Sequence, residues 1–198
     1  MSVTPSREEF RALGAGRRLV PLYTTVLADS ETPLSIYRRL AGGRPGGFLL
    51  ESATSGVWNR YSFIGRNPVA TLTEVDGEVA WLGTPPAGVP TTGDPLSALR
   101  DTLELLRIDV PHPDLPPMIS SLVGYLGWDV VRRFERLGHG PLPEDAVPEL
   151  SLSIPGDVAI FDHSTARVTL VANVVNVDGA ETGIDDAYAS GVARIEAM

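Results

Sequence analysis

Two stretches of this sequence have β-rich arms joined by a short turn, and these hairpins constrain the fold more than any other feature. In residues 69–82 the turn is Asp76-Gly77, a pair that readily takes the two positive-φ positions of a type I′ turn. Residues 158–161 and 167–175 form the arms of a second hairpin. Strand and helix patterns follow one another without a regular βαβ rhythm. We therefore expect an α+β fold, with a mixed, largely antiparallel sheet and flanking helices.

The other elements are predicted from start, stop and periodicity signals. Strands are expected over residues 18–28, 46–52, 60–65 and, as a buried strand, 119–126. Helices are expected over residues 6–15, from Pro33 to a stop at Gly42-Gly43, from Asp94-Pro95 with the apolar face Leu96, Leu99, Leu103 and Leu106, over residues 129–137, and from Thr182 onward. The last helix keeps its periodicity to Met198 without a capping signal, so we expect a boundary there within a longer polypeptide.

Composition excludes several kinds of chemistry. The chain of 198 residues has no cysteine, and all 16 of its basic residues are arginine. A thiolate nucleophile, a disulfide, a Schiff-base lysine and a P-loop lysine are therefore absent from the sequence. The three histidines, His112, His139 and His163, have no further ligand at metal-site spacing, so we expect loop or surface residues. Without an apolar run of membrane-spanning length or a signal peptide, the sequence predicts a cytoplasmic protein.

The net charge of −9 argues against a nucleic-acid partner, because such binding relies on neutralising phosphates. The charge is unevenly distributed. Residues 1–70 hold nine arginines and five acidic residues, whereas residues 71–198 hold seven arginines and twenty acidic residues. We therefore expect the N-terminal third of the chain to bind an anionic ligand group more favourably than the rest.

The most informative stretch for function is residues 48–65, which combines an apolar run with polar residues at its end. The familiar GxSxG, HExxH, GxGxxG and P-loop patterns are absent from the sequence. In an extended strand Leu49 and Glu51 share one face, while Leu50 and Ser52 share the other. Polar groups next to an apolar slot suit a small amphipathic ligand. The alternative is that Glu51, Ser52 and Arg60 are solvent-facing residues at strand ends.

Several segments carry a resemblance to a known family. The segments ADSETPLSIYRRL, LLES, RYSFIG, LVGYLGWDVVRRFERL and DVAIFDHSTARVTLVANV occur in this order along nearly the whole chain. This set resembles the N-terminal region of anthranilate synthase component I, the large subunit, within the chorismate-utilising enzyme superfamily. The resemblance implies that residues 1–198 are a single N-terminal regulatory region, without the C-terminal chorismate-binding catalytic region.

The resemblance also implies a binding site for L-tryptophan as a feedback inhibitor. Carried over by position, it indicates Glu51 and Ser52 of LLES and Ser62 of RYSFIG, with Arg60 and Tyr61 as weaker candidates. A carboxylate such as Glu51 can attract the ligand ammonium, and hydroxyl and backbone N–H groups can bind its carboxylate. The apolar neighbours that could hold the indole are Leu49, Leu50 and Phe63.

For the parent enzyme the resemblance implies conversion of chorismate to anthranilate at a magnesium site, with ammonia from a glutamine amidotransferase subunit. We expect no catalytic residue, metal or cofactor in the present region, and no activity from it alone. An apolar surface left uncovered by the catalytic half makes a homo-oligomer possible. Arg132, Arg133 and Arg136 are either part of a subunit contact or a solvated helix face. The alternatives are aminodeoxychorismate synthase component I, an isochorismate or salicylate synthase, and a non-enzymatic interaction domain.

Overall fold

The chain folds into two antiparallel sheets with flanking helices, as a computed structural model of residues 2–52, 60–108, 115–116, 118–119, 121–138, 147–176 and 182–198 describes it. The strands are β1 (Leu19–Leu27), β2 (Phe48–Leu50), β3 (Tyr61–Arg66), β4 (Ala70–Val75), β5 (Glu78–Gly83), β6 (Val123–Leu126), β7 (Leu150–Ile154), β8 (Asp157–Asp162) and β9 (Arg167–Val175). The helices are α1 (Arg7–Gly14), α2 (Pro33–Leu40), α3 (Pro95–Leu105) and α4 (Ile184–Glu196). The expected α+β class is confirmed.

The larger sheet has the strand order β1-β9-β8-β3-β2, and the smaller one β5-β4-β7-β6. All pairings between the described strands are antiparallel. Helices α1, α2 and α4 cover one face of the larger sheet, where Phe10, Ile36 and Ile195 join the buried side chains of the strands. Helix α3 packs against the smaller sheet through Ala98. Residues 109–114 and 139–146, with His112 and His139, lie outside the described residues.

Both predicted hairpins are confirmed. The β4–β5 turn has Asp76 at φ 53° and Gly77 at φ 82°, the left-handed pair that a type I′ turn requires. The carboxylate of Glu74 accepts a hydrogen bond of 2.7 Å from the Gly77 N–H, which stabilises the turn further. Strands β8 and β9 form the second hairpin.

The predicted buried strand over residues 119–126 is wrong in its environment. Strand β6 covers only Val123–Leu126 and is an exposed edge strand of the smaller sheet. Its partner β7 was not predicted from the sequence. The predicted helix over residues 129–137 is instead a short 3-10 helix, Trp128–Arg133. The apolar composition of these two segments therefore did not indicate which of their faces other parts of the protein would cover.

The predicted apolar face of α3 is confirmed in part. Leu106 is buried, and Leu96 and Leu99 pack against the cluster of the smaller sheet, whereas Leu103 is 46% exposed. Pro95, Ala98 and Thr102 are buried as well, so the buried stripe lies to one side of Leu103. None of the helices in the described part of the chain is long and apolar enough to cross a membrane.

A buried carboxylate, Asp157 at the start of β8, ties the larger sheet to α4. It lies 3.3 Å from the guanidinium of Arg66 on β3 and 3.2 Å from that of Arg194 on α4. The side-chain amide of Asn67 donates a further hydrogen bond of 2.7 Å to it. Because a buried charge requires such partners, these contacts hold β3, β8 and α4 in one arrangement.

Candidate functional site

The predicted site residues lie around one end of the β2–β3 pair. The ladder joins Phe48 to Gly65, Leu49 to Ile64 and Leu50 to Phe63, and it ends there. Glu51 and Ser52 directly follow β2, and Arg60 directly precedes β3; all three are exposed. Strand β2 is shorter than predicted, so Glu51 and Ser52 leave the sheet. Residues 53–59, between the two strands, lie outside the described residues.

A glycine in the RYSFIG segment explains how the two strands come together. A Cβ atom at Gly65 would lie 2.0 Å from a ring carbon of Phe48, the residue paired with it across the ladder. The Phe48 ring therefore occupies the space that any other residue at position 65 would fill. This contact requires glycine at position 65, and it positions the short strand that leads to Glu51 and Ser52.

Ser62 lies inside the protein, in contrast to the exposed residues around it. Strand alternation places it on the same face as Ile64, toward the core beneath the helices, and its side chain is fully buried. A hydrogen bond of 2.8 Å joins its Oγ to Nε2 of His163, which follows β8. The edge of the His163 ring contacts Phe161, with 4.9 Å between ring centroids.

Arg60 and Tyr61 form a second group of contacts. The guanidinium of Arg60 donates two hydrogen bonds, of 3.1 and 2.7 Å, to the carboxylate of Asp162 and lies 4.9 Å from the Tyr61 ring centroid. The hydrogen bond from Arg60 lowers the pKa of the Asp162 carboxyl well below its usual range, and those from Ser164 lower it further. The same hydrogen bond raises the pKa of Arg60. At this end of β3, an ion pair therefore lies beside an aromatic ring.

The three apolar residues named for an indole have different surroundings. Leu49 packs against the core beneath the helices, and Phe63 packs with Tyr61 in a cluster on the opposite face of the sheet. Leu50 is 38% exposed. Among these residues, the exposed side chain of Leu50 is the one most accessible to a ligand lying beside Glu51 and Ser52.

The structure therefore brings together Arg60 with Tyr61, and it places Glu51 and Ser52 at the same end of the strand pair. It separates Ser62 from Tyr61, because neighbouring residues of a strand face opposite sides. Sequence analysis missed the two partners Asp162, the last residue of β8, and His163, which follows it. They could not be found from the sequence, because only the pairing of β3 with β8 brings them to this end of β3.

Two further features of the described residues bear on where a site could lie. The described residues hold no cluster of three or more His, Asp or Glu side chains placed to bind a metal ion. A cavity of about 1030 Å³ lies between α1, the start of β1 and the start of α4, with Arg17, Arg18 and Gly183 among its lining residues. It includes none of the five predicted tryptophan-site residues.

Comparison with known proteins gives the following similarities. No family model matches the chain. It is 48% identical over 197 residues to anthranilate synthase component 1 of Arthrobacter globiformis, covering 99% of this chain and 37% of the relative. It is 49% identical over 199 residues to the protein of that name from Mycolicibacterium smegmatis, covering 100% of this chain and 38% of the relative. In both cases the match lies in the N-terminal part of the relative. The chain is related to the N-terminal region of anthranilate synthase component I.

The fold agrees with this relationship. Anthranilate synthase component I of Streptococcus pneumoniae TIGR4 superposes with a TM-score of 0.51 at 20% sequence identity, over 86% of this chain and 36% of that protein. At this identity the likeness supports the fold alone. The chain spans less than two-fifths of the length of these curated relatives and of this solved structure.

Proposed function

We propose that this chain is the tryptophan-sensing, N-terminal region of an anthranilate synthase component I. The observation that carries the proposal is the identity of 48–49% to proteins of that name over 99–100% of the chain. The activity proposed for the whole protein is conversion of chorismate to anthranilate, with ammonia supplied by a glutamine amidotransferase subunit. Tryptophan, the end product of the pathway, would bind here and inhibit. The proposed location is the cytoplasm.

We assign the direct contacts with tryptophan to Glu51 and Ser52, because both side chains are exposed at the end of β2. The Glu51 carboxylate would pair with the ligand ammonium, and the Ser52 hydroxyl would bind the ligand carboxylate. Ser62, Arg60 and Tyr61 would support this end of the strand pair, because Ser62 is fully buried beside His163 and Arg60 is held by Asp162.

Inhibition requires that tryptophan bind the inactive arrangement of the enzyme better than the active one. A 100-fold preference corresponds to about 2.7 kcal/mol, which a few charge-assisted hydrogen bonds can supply. Catalysis itself would need groups outside this chain. As the resemblance implies, we propose that the 198-residue chain alone is inactive.

The proposal is tested first by binding. Calorimetry and thermal shift of the 198-residue chain with L-tryptophan, L-phenylalanine and chorismate should show a response selective for tryptophan. A ligand present at 100 times its dissociation constant stabilises the fold by about 2.7 kcal/mol. Glu51→Gln should weaken this response, because it removes the charge that pairs with the ammonium group.

A chimaera tests regulation and chemistry together. The chain would replace the matching N-terminal region of the Arthrobacter globiformis relative, and formation of anthranilate from chorismate, ammonia and Mg²⁺ would be followed by fluorescence. We expect tryptophan to inhibit the chimaera and Ser52→Arg to abolish the inhibition. Ser190→Arg, at an exposed position of α4, is the matched control and should leave inhibition unchanged.

Three outcomes would overturn the proposal. An active chimaera that tryptophan does not inhibit would remove the sensing role. Formation of aminodeoxychorismate, isochorismate or salicylate by the native full-length protein would place it with another chorismate-utilising enzyme. A chain that responds to none of the three ligands, and whose chimaera is insensitive to tryptophan, would favour the non-enzymatic interaction domain.

A further inference from the structure

The last residue of β8 and the turn that follows it hold the start of β3 by three separate contacts. The backbone N–H of His163 donates a hydrogen bond of 2.9 Å to the carbonyl oxygen of Arg60. The carboxylate of Asp162 receives the two hydrogen bonds from the Arg60 guanidinium. The His163 ring reaches past the strand end to the hydroxyl of Ser62 at 2.8 Å. The first residues of β3 are therefore held by the turn as well as by the β3–β8 ladder.

These contacts matter for Glu51 and Ser52 because β2 is the edge strand and is only three residues long. The ladder between β2 and β3 ends at Leu50 and Phe63. Glu51 and Ser52 directly follow this last pair, and Ser62 directly precedes Phe63. A displacement of the start of β3 would therefore also displace the point at which Glu51 and Ser52 follow the ladder.

Replacing His163 would be costly because the buried Ser62 hydroxyl would lose its hydrogen bond. Its hydroxyl is fully buried, and leaving a buried hydroxyl without a partner costs about 1–3 kcal/mol, or roughly 5- to 150-fold in an equilibrium. The partner is Nε2 of a histidine that is itself exposed, so the ring joins the surface of the turn to the interior of the sheet. Its contact with the Phe161 ring sets the orientation in which Nε2 points at Ser62.

We propose that His163 is a positioning residue for the tryptophan response: it holds the Ser62 hydroxyl, and through it the end of the strand pair that presents Glu51 and Ser52. It does so without contacting the ligand. This inference rests on the proposed function, and it adds a residue from a turn about one hundred positions away in the sequence.

The test uses the chimaera and compares two substitutions. His163→Ala leaves the Ser62 hydroxyl unpartnered, and we expect the tryptophan concentration for half-maximal inhibition to rise by about tenfold. His163→Gln offers an amide group at a position similar to that of Nε2, and we expect the value to return to within about threefold of the wild type. The KM for chorismate should stay the same in both variants.

Thr169→Val is the matched control. It removes another side-chain hydrogen bond of the same sheet, the 3.1 Å contact between the hydroxyls of Thr169 and Thr25 on β9 and β1. Thermal unfolding of all variants measures the loss of stability. A merely structural role predicts that Thr169→Val and His163→Ala change the tryptophan response equally once their stabilities are matched.

The outcomes separate the two proposals. Wild-type inhibition that His163→Ala leaves unchanged overturns the positioning role and leaves tryptophan sensing in place. Failure of His163→Gln to restore the response also overturns it, because the hydrogen bond would then not be the cause. An active wild-type chimaera without inhibition overturns the proposed function and the positioning role together. A selective loss in His163→Ala with recovery in His163→Gln supports both.

Discussion

The two sheets of this protein are built alike and covered differently. Both are antiparallel, but strand β8 of the larger sheet is buried along Asp157–Phe161, between the core beneath the helices and an apolar cluster on the other face. The smaller sheet ends in the exposed strand β6, and the segment after it leaves Trp128 91% and Phe134 74% exposed. The difference shows that the burial of an antiparallel strand depends on which other elements pack against it.

The same difference separates the polar groups of the two regions. Near the larger sheet a carboxylate is fully buried with two arginines, whereas the ion pair of Asp129 and Arg132 beside the smaller sheet is exposed to solvent. A buried charge is costly without its partners, while an exposed pair contributes little. Mutations should therefore have unequal effects in the two regions.

The largest effect is expected at Asp157. Asp157→Ala leaves the guanidinium groups of Arg66 and Arg194 without their shared carboxylate, so we expect a loss of about 3–5 kcal/mol in the free energy of unfolding. Urea denaturation measures it. Asp129→Ala is the control and should cost less than about 1 kcal/mol. Equal losses at the two positions would contradict the difference in coverage described above.

A second large effect is expected at the β2–β3 pair. Gly65→Ala places a methyl group where the Phe48 ring lies, and we expect overpacking to cost about 1–3 kcal/mol. Gly16→Ala, where an added Cβ meets nothing within 4 Å, should be close to neutral. If the clash is the cause, Gly65→Ala should cost much less in a Phe48→Leu background, and a strictly additive double mutant would contradict it.

A smaller, pH-dependent effect is expected at Asp162. Its folded pKa is lowered, chiefly by Arg60, so its carboxylate stabilises the fold above the unfolded pKa of about 3.9 and this contribution is lost as pH falls through the folded value. The melting temperatures of wild type and Asp162→Asn should therefore differ at pH 7 and converge as the solution is acidified below about pH 4. A gap that widens on acidification would show that the pKa of Asp162 is not lowered.

The smallest effect on folding is expected at Trp128. Because the side chain is 91% exposed, Trp128→Ser should change the free energy of unfolding by less than about 0.5 kcal/mol. It should nevertheless reduce concentration-dependent self-association in light scattering, since exposed aromatic surface promotes association. Leu103→Ser, at a 46% exposed position of α3, is the control. A large loss of stability in Trp128→Ser would mean that this side chain is covered.

Much of the local structure was predictable because its causes lie within a few residues. Helices α1 and α2 begin where their start signals predicted, after Ser6 and at Pro33, and the first turn of each is stabilised by a capping box. The β4–β5 turn follows from the conformational preferences of Asp76 and Gly77. Such contacts form whatever the rest of the chain does. The family resemblance was likewise carried by short segments in a fixed order.

Other features depended on residues far apart in the chain. Packing against the smaller sheet buries Ala98 of α3 and leaves Leu103 exposed, and β7 exists as a strand because β4 and β6 pair with it. Ser62 and His163 are 101 positions apart, and only the pairing of β3 with β8 brings them together. The sequence by itself determined where turns and helices begin, since those signals are local. Tertiary structure decided which faces are buried and which polar groups meet, because burial depends on the surfaces that distant segments supply.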